Sequence, residues 1–536
     1  MRSDAGRRRS WWGWGWEDQA VPADQLDALA PVISERLGRA VERRDPARVE
    51  DLRLPPPAVT PPDALASSCS TDDRDRALHA YGRSFRDVVR AFHGDVPAPP
   101  DLVARPSTES ELVALLDWCA TSGVAAIPYG AGSSVVGGVE TGGPWRHAFA
   151  GVASVDLTAM DRVLDVDRTS RAARIAAGTT GPVLEDQLRA HGLTLRHYPQ
   201  SFEFSTLGGW SATRSGGHYA TNRTHIEDFV ESTRTVTPTG VMATRRLPGS
   251  GAGPSPDRLV AGSEGILGVI TEAWVRLQDR PAFKATASIR FDRMGDGVAA
   301  CRALGQSGLE PTNCRLLDPG EAAANAGGDG GTILVLGFES AHHPVDADID
   351  AAVAVCEDHR GGPVGDVRRS TDRSDPATSG SGRAATDDAA ERWRSSFLRA
   401  PYLRDAMVAL GCIAETFETA VTWDRFDELH DGVVAATTEA LRRICGGGAV
   451  TCRFTHVYPD GVAPYFTVLA PSTHTDQLAQ WDEVKAAAAE AILAAGGTIT
   501  HHHAVGRDHR PWYDRQRPDP FAAALTVAPV VSSIPG

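Results

Sequence analysis

Three glycine-rich segments, far apart in the chain, constrain its fold more than any other feature. The first is Pro128-Tyr129-Gly130-Ala131-Gly132-Ser133-Ser134-Val135-Val136-Gly137-Gly138, directly after the β-type run VAAIPY. The second is Ser205-Thr206-Leu207-Gly208-Gly209-Trp210-Ser211-Ala212-Thr213-Arg214-Ser215-Gly216-Gly217. The third is Gly262-Ser263-Glu264-Gly265-Ile266-Leu267-Gly268-Val269-Ile270-Thr271. Glycine lets a backbone turn tightly and aim successive N–H groups at an anion, and small hydroxylated residues let it lie flat against a large planar ligand. The first segment is not a Walker A loop, because no Gly-Lys-Ser/Thr follows. It is not a G-x-G-x-x-G fingerprint either, because Val135 stands at the third glycine position. Together the three predict a site for a large, planar, phosphorylated ligand.

The pattern around these loops is α+β. PSTESELVALLDWCATSGVAAIPYG opens with Ser107 or Thr108 as a helix N-cap, ends the helix at Gly123 and continues as a strand. ASVDLTAM, RVLDVD and ARIAAGTT read as short strands, and a helix runs from Pro182 to about His191. Further on we expect a helix at Arg404–Glu415, another at Asp424–Arg443, the strand pair TCRFTHVYP and APYFTVLAP, a helix over QLAQWDEVKAAAAEAILAAGG and a closing strand TITHHHAV. Residues 357–392, poor in apolar side chains and rich in Gly, Ser, Asp and Arg, read as a mobile loop. The expected division is 1–95, a helical and extended segment; 96–282, the ligand-loop domain; 283–490, a second α+β domain; and 491–536, an active-site strand and tail.

Composition excludes several classes. The 536 residues carry a net charge of −15, which disfavours a nucleic-acid partner. Eight cysteines are scattered without a C-x-x-C pair, so neither a zinc site nor a dithiol redox motif is supported. No apolar run is long enough to span a bilayer, and MRSDAGRRRSWWGWGW lacks an aliphatic signal core. Arg7, Arg8 and Arg9 beside Trp11, Trp12, Trp14 and Trp16 suit either contact with an anionic membrane surface or packing of the indoles on the ligand-loop domain. The chain ends Ile534-Pro535-Gly536 rather than in a Ser-Lys-Leu type address. A cytoplasmic enzyme, with peripheral membrane contact as an option, is the expectation.

The order PYGAGSSVVGG, STLGGWSATRSGG, GSEGILGVIT resembles the FAD domain of the vanillyl-alcohol-oxidase and p-cresol-methylhydroxylase superfamily. That resemblance implies a two-subdomain α+β FAD-binding domain of the PCMH type, with an α+β cap covering the isoalloxazine. It places FAD contacts at Pro128, Tyr129, Gly130, Ala131, Gly132, Ser133, Ser134, Val135 and Gly137, at Ser205, Thr206, Gly208, Gly209, Ser211 and Thr213, and at Gly262, Ser263, Glu264, Gly265 and Ile270. Ser133 and Ser134 stand where some relatives tether the flavin through histidine, and His218 lies in no tethering motif, so non-covalent FAD is expected.

Within that superfamily WWGWGWED, QSFEFSTLGGWSATRSGG, PTNCRLLD, APYLRDAMVALGCIAETFET, TCRFTHVYPDGVAPYFT and THHHAVG are similar, in order, to the alkyldihydroxyacetonephosphate synthase family. SGGHYATNRTHIEDFV departs from that family's Tyr-Gly-Asn type sequence. The resemblance implies exchange of the acyl group of an acyl-dihydroxyacetone phosphate for a fatty alcohol through a flavin N5 adduct, with no net redox change. Arg315 and Arg404, and with less support Arg453, are its substrate-anion candidates, suited by a planar, permanently charged fork. The alternative for each is an ordinary salt bridge. Tyr465 is the candidate acid/base, with a half-buried strand aromatic as its alternative, and His501, His502 and His503 are the candidate proton carriers. On a strand His501 and His503 would share one face, without an evident carboxylate partner, so no metal is expected. A small-molecule or lipid substrate and a homodimer are the expected partners. The same loops and arginines also suit an FAD-linked dehydrogenase of a 2-hydroxy acid such as D-lactate or glycolate, or a flavin-binding module without catalysis.

Overall fold

The computed structural model describes residues 6–325, 330–371 and 389–527. Two sheets form the part that carries the glycine loops. In the first, strands Leu102–Ala104 and Val124–Tyr129 flank Gly151–Asp156 in parallel, and Cys69–Ser70 adds an antiparallel edge. Val124–Tyr129 is buried along nearly its whole length, as a strand covered on both faces must be. Its helix, Glu109–Ser122, starts where Thr108 accepts the Glu111 N–H at 3.2 Å, and it stops at Gly123, whose left-handed backbone (φ +64°) ends it. The second sheet is antiparallel, in the order Val163–Asp167, Ala172–Ala176, Val269–Arg276, Val230–Thr237, Gly240–Ala243.

The cap is a nine-stranded antiparallel sheet. Its main path ends Asn313–Leu317, Ala449–Val457, Gly461–Ala470, Ile413–Glu418. Helices Met294–Gln306, Asp346–Asp358, Phe426–Ile444 and Gln477–Ala494 bury Leu304, Ile349, Leu429, Val433, Val484 and Ile492 in the cap core. Each such side chain contributes roughly 1.5–3 kcal/mol on leaving water.

Three expectations change. The helix expected at Arg404–Glu415 runs Ala389–Ala409, and the chain then turns at Gly411 (φ +70°) into strand Ile413–Glu418, so Glu415 is a strand residue. The loop expected at 357–392 is shorter. Helix Asp346–Asp358 enters it, and strands Gly362–Pro363 and Arg368–Ser370 pair with Phe283–Phe291, while 372–388 lie outside the described residues. The closing strand at TITHHHAV does not form. Its loop geometry has a specific cause, given below.

The tryptophan-rich opening follows the packing reading. Trp11 and Trp14 are buried, Trp12 packs edge-on against Phe92, and Trp14 and Trp16 pack edge-on against Phe204. Arg9 lies over the Phe204 ring and donates to the Ala131 carbonyl at 3.2 Å. On the other side Asp405 accepts the Trp14 N–H at 2.5 Å, and Tyr402 donates to Gln19 at 2.6 Å. The opening segment therefore packs its indoles on Phe92 and Phe204 and reaches the first glycine loop through Arg9 and the helix Ala389–Ala409 through Trp14 and Gln19. Among the described residues no helix is long and apolar enough to cross one.

Candidate active site

One cavity of about 630 Å³ separates the glycine loops from the cap sheet. Its floor is made of residues whose small size is required. A Cβ on Gly130 would stand 2.5 Å from Thr206 Oγ1, and one on Gly208 would stand 2.7 Å from Ala177 Cβ. Gly132 (φ +71°) and Gly265 (φ +91°) occupy left-handed backbone that favours glycine. Thr206 caps the helix Leu207–Thr213 by accepting the Gly209 N–H at 3.2 Å. Most expected FAD contacts line this floor. Gly137, Ser211 and Gly262 do not. Gly137 backs onto Arg86 and Arg507, Gly262 onto Arg214, and the buried Ser211 hydroxyl donates inward to the Leu207 carbonyl at 2.9 Å. Glu264 reaches the cavity, but its carboxylate accepts the Val505 and Gly506 N–H groups, each at 2.8 Å, fastening the third loop to the segment after the histidines. Gly216 and Gly217, part of the second segment but outside the expected contacts, also line the floor. A shallow wall of glycines and hydroxyls of this size fits FAD.

The roof is organised around Glu418, which sequence reasoning missed. It is fully buried at the end of strand Ile413–Glu418 and opposite Tyr465 in the register. Its carboxylate accepts the backbone N–H groups of His501, His502 and His503 at 2.6, 3.1 and 2.9 Å, and the Thr500 hydroxyl at 2.7 Å. Successive N–H groups of a strand point in opposite directions, so three in a row on one carboxylate force a loop. This overturns the strand and the shared face of His501 and His503. It also supplies the carboxylate that the sequence did not show, with Nδ1 of His502 and of His503 each 3.7 Å from it. Burial opposes the Glu418 charge, but the three histidines and the Thr500 hydroxyl outweigh it and hold its pKa well below the usual range.

Burial is the largest influence on His501, His502, His503 and the buried His456, and it lowers all four below the ordinary imidazole value despite Glu418. They are neutral bases at neutral pH. His456, His501 and His502 each bring a ring nitrogen within 4.8 Å of the others, a spacing within reach of a metal ion. Two of those rings are already engaged. His501 Nδ1 meets His502 Nδ1 at 3.1 Å, and His501 Nε2 meets Tyr458 Oη at 2.7 Å. His502 and His503 line the cavity, while His501 stands behind them.

Tyr465 is buried, with the Arg453 guanidinium 4.0 Å over its ring. Burial raises its pKa above the usual phenol value against the pull of Arg453, so it holds its proton. Arg453 itself is paired with buried Glu321 at 3.0 Å. Arg315 is 5% exposed and donates to the His218 carbonyl at 3.2 Å. Burial first, then Arg453, pushes its pKa down to about 9, still charged at neutral pH. Arg404 is held by the Arg83 carbonyl at 2.5 Å. All three arginines line the cavity.

Residues 100–245 match the FAD binding domain family, and residues 280–526 match the C-terminal domain of FAD linked oxidases. The alkyldihydroxyacetonephosphate synthase of Dictyostelium discoideum is 31% identical over 485 residues, 87% of this chain and 78% of that protein. The chain belongs to the alkyldihydroxyacetonephosphate synthase family. A solved structure of an alkyldihydroxyacetonephosphate synthase superposes with a TM-score of 0.77 at 26% identity, covering 96% of this chain and 97% of its own. p-Cresol methylhydroxylase, at 13% identity and a TM-score of 0.64 over 95% of both chains, shares the fold. This member of the synthase family is therefore an FAD enzyme of the PCMH type.

Proposed function

We propose that this protein exchanges the acyl group of an acyl-dihydroxyacetone phosphate for a fatty alcohol, yielding an ether-lipid precursor. One observation carries the reading: a single cavity joins the glycine floor, buried Arg315 and half-buried Arg404, a protonated phenol, neutral imidazoles and an apolar arm. Arg315 and Arg404 would hold the phosphate. An anion beside Arg315 offsets the burial that lowers its pKa. The arm, lined by Leu29 and Ile33 of helix Ala23–Leu37 and by Leu403 and Met407 of helix Ala389–Ala409, suits an alkyl chain.

When bound, FAD supplies a nucleophilic and electron-accepting N5. The chain supplies the protons. Tyr465 gives its proton to the departing carboxylate and regains one from the incoming alcohol. His502, or His503 beside it, takes a proton from the carbon next to the carbonyl and returns one, so that carbon has two hydrogens before and after. Alcohol enters, carboxylic acid leaves, and no electrons are gained or lost overall.

The flavin would be untethered. His218 lies outside the cavity lining, its ring packed against Tyr198 and Tyr219. Acid precipitation is expected to release all the yellow colour into the supernatant. The reaction is tested by anaerobic visible spectroscopy. Bleaching by the acyl ketone phosphate, reversed by a fatty alcohol without any electron acceptor, is the expected result. Lasting bleaching by D-lactate or glycolate, with colour restored only by an acceptor, would replace this reading with a hydroxy-acid dehydrogenase. Bound flavin inert to every addition would leave a binding module.

A further inference from the structure

Behind the cavity a row of hydrogen bonds links His502 to the protein surface. His502 Nδ1 meets His501 Nδ1 at 3.1 Å, His501 Nε2 meets Tyr458 Oη at 2.7 Å, Tyr458 Oη meets Thr224 Oγ1 at 3.0 Å, and Thr224 Oγ1 meets His225 Nδ1 at 2.9 Å. The row ends at His225 Nε2, 3.0 Å from the His501 carbonyl oxygen. Thr224 is buried, whereas His225 is half-buried beside exposed Asn222 and Arg223, and half-buried Tyr458 precedes exposed Pro459 and Asp460.

The last contact fixes the rest. A carbonyl only accepts, so His225 Nε2 carries a hydrogen and its Nδ1, in the neutral ring, is an acceptor. Thr224 must then donate to His225, which leaves its oxygen to accept from Tyr458. The Tyr458 hydrogen being so used, its oxygen accepts from His501 Nε2–H. His501 Nδ1 is then an acceptor, and His502 donates to it from Nδ1. His502 Nε2 is left with an open lone pair. Each hydrogen bond in the row points outward, away from the reaction cavity.

We propose that His502, His501, Tyr458, Thr224 and His225 form a directed proton relay between the reacting carbon and solvent. The inference rests on the proposed reaction, in which one proton leaves the carbon and one returns. A proton arriving on His502 Nε2 releases the Nδ1 proton to His501. His501 passes its Nε2 proton to Tyr458, Tyr458 its own to Thr224, and Thr224 its own to His225, which discharges one proton to water. Each group gives one proton and takes one, no electrons move, the four bonds from His502 to His225 now point inward, and the bond from His225 Nε2 to the His501 carbonyl is given up until a proton returns. Return of a solvent proton along the same row restores the carbon and resets the order. Tyr458, Thr224 and His225 touch no substrate, so they are positioning residues acting through His502. The Glu418 carboxylate fixes the backbone of His501 and His502, which keeps the inner end of the row in register.

The test is turnover of the holoenzyme in D₂O, with mass analysis of the ether product and initial rates. Wild type is expected to place solvent deuterium at the reacting carbon. Thr224→Val, which keeps the shape and removes the hydroxyl, is expected to return the substrate's own hydrogen, with kcat lowered about tenfold or more and KM unchanged. Thr224→Ser should restore both deuterium uptake and rate, and Tyr458→Phe should behave like Thr224→Val. Full deuterium uptake in Thr224→Val and Tyr458→Phe would overturn the relay while leaving the exchange reaction standing. If the acyl ketone phosphate is not turned over, ¹⁵N NMR of histidine-labelled holoenzyme decides instead. Hydrogens on His502 Nδ1, His501 Nε2 and His225 Nε2 support the relay, and any other set of tautomers overturns it.

Discussion

The two walls of the cavity are built on opposite principles. The glycine floor consists of three loops whose chemistry is the absence of side chains: Gly130, Gly132, Gly208 and Gly265 act by leaving room or by taking a left-handed turn. The roof consists of side chains from separate strands and a loop. Glu418, Tyr465 and His502 come from widely spaced positions, joined by sheet register and one buried carboxylate. A floor of this kind fails by being filled. A roof of this kind fails by losing its centre.

That contrast predicts separable damage. Glu418→Gln attacks the roof alone and has the largest expected effect: kcat lower by about 100-fold or more, with the flavin spectrum and FAD affinity unchanged. Loss of flavin in that variant would show that the walls are not independent. Tyr465→Phe comes next, with kcat down about 10–100-fold and little change in FAD binding, read from steady-state rates and an FAD titration. Gly208→Ala is the converse. Its Cβ stands 2.7 Å from Ala177 Cβ and 3.0 Å from the Ala177 carbonyl oxygen, so we expect weaker FAD binding and about 1–3 kcal/mol of lost stability in urea unfolding. Once saturated with FAD it should turn over nearly as wild type.

The smallest effect is on pH. His456, His501, His502 and His503 titrate below their ordinary value of 6.5 in the folded protein, so as pH falls through 6.5 the unfolded chain takes up protons that the folded cluster refuses. Their contribution to stability is therefore lost on that acid side. Glu418, lowered from 4.5, adds a second loss as pH falls below 4.5 toward its folded pKa. The thermal midpoint should fall from pH 7 to pH 5 and again below 4.5. Glu418→Gln should make the second step smaller, the rest coming from other lowered carboxylates such as Asp156 and Glu321, measured by scanning calorimetry across that range.

Much of the floor was legible in the linear chain, because a glycine loop after a strand signals a turn and a close approach wherever it occurs. The exceptions, Gly137, Ser211 and Gly262, share the composition of their neighbours and differ only in which way they face. The roof was legible as residue types and not as an arrangement. Three consecutive histidines following TIT read as a strand by alternation, and nothing local signals that their N–H groups turn together toward a glutamate eighty-odd residues earlier. Nothing local pairs Arg453 with Glu321, 132 residues earlier. Thr224 and His225 lie in SGGHYATNRTHIEDFV, the stretch that departs from the family's sequence, and only their meeting with Tyr458 gives them a common role.

The sequence by itself determined the class of ligand, the α+β alternation and the inventory of proton carriers. Loop conformation and helix capping depend on neighbours a few residues away, and that information is local. Tertiary structure alone decided which imidazoles are neutral, which arginine pairs with Glu321, and in which direction the hydrogen bonds behind His502 run. Those properties depend on burial and on distances of about 3–4 Å between groups remote in the chain, where removal of water makes each charge and each hydrogen bond dictate the state of its neighbour.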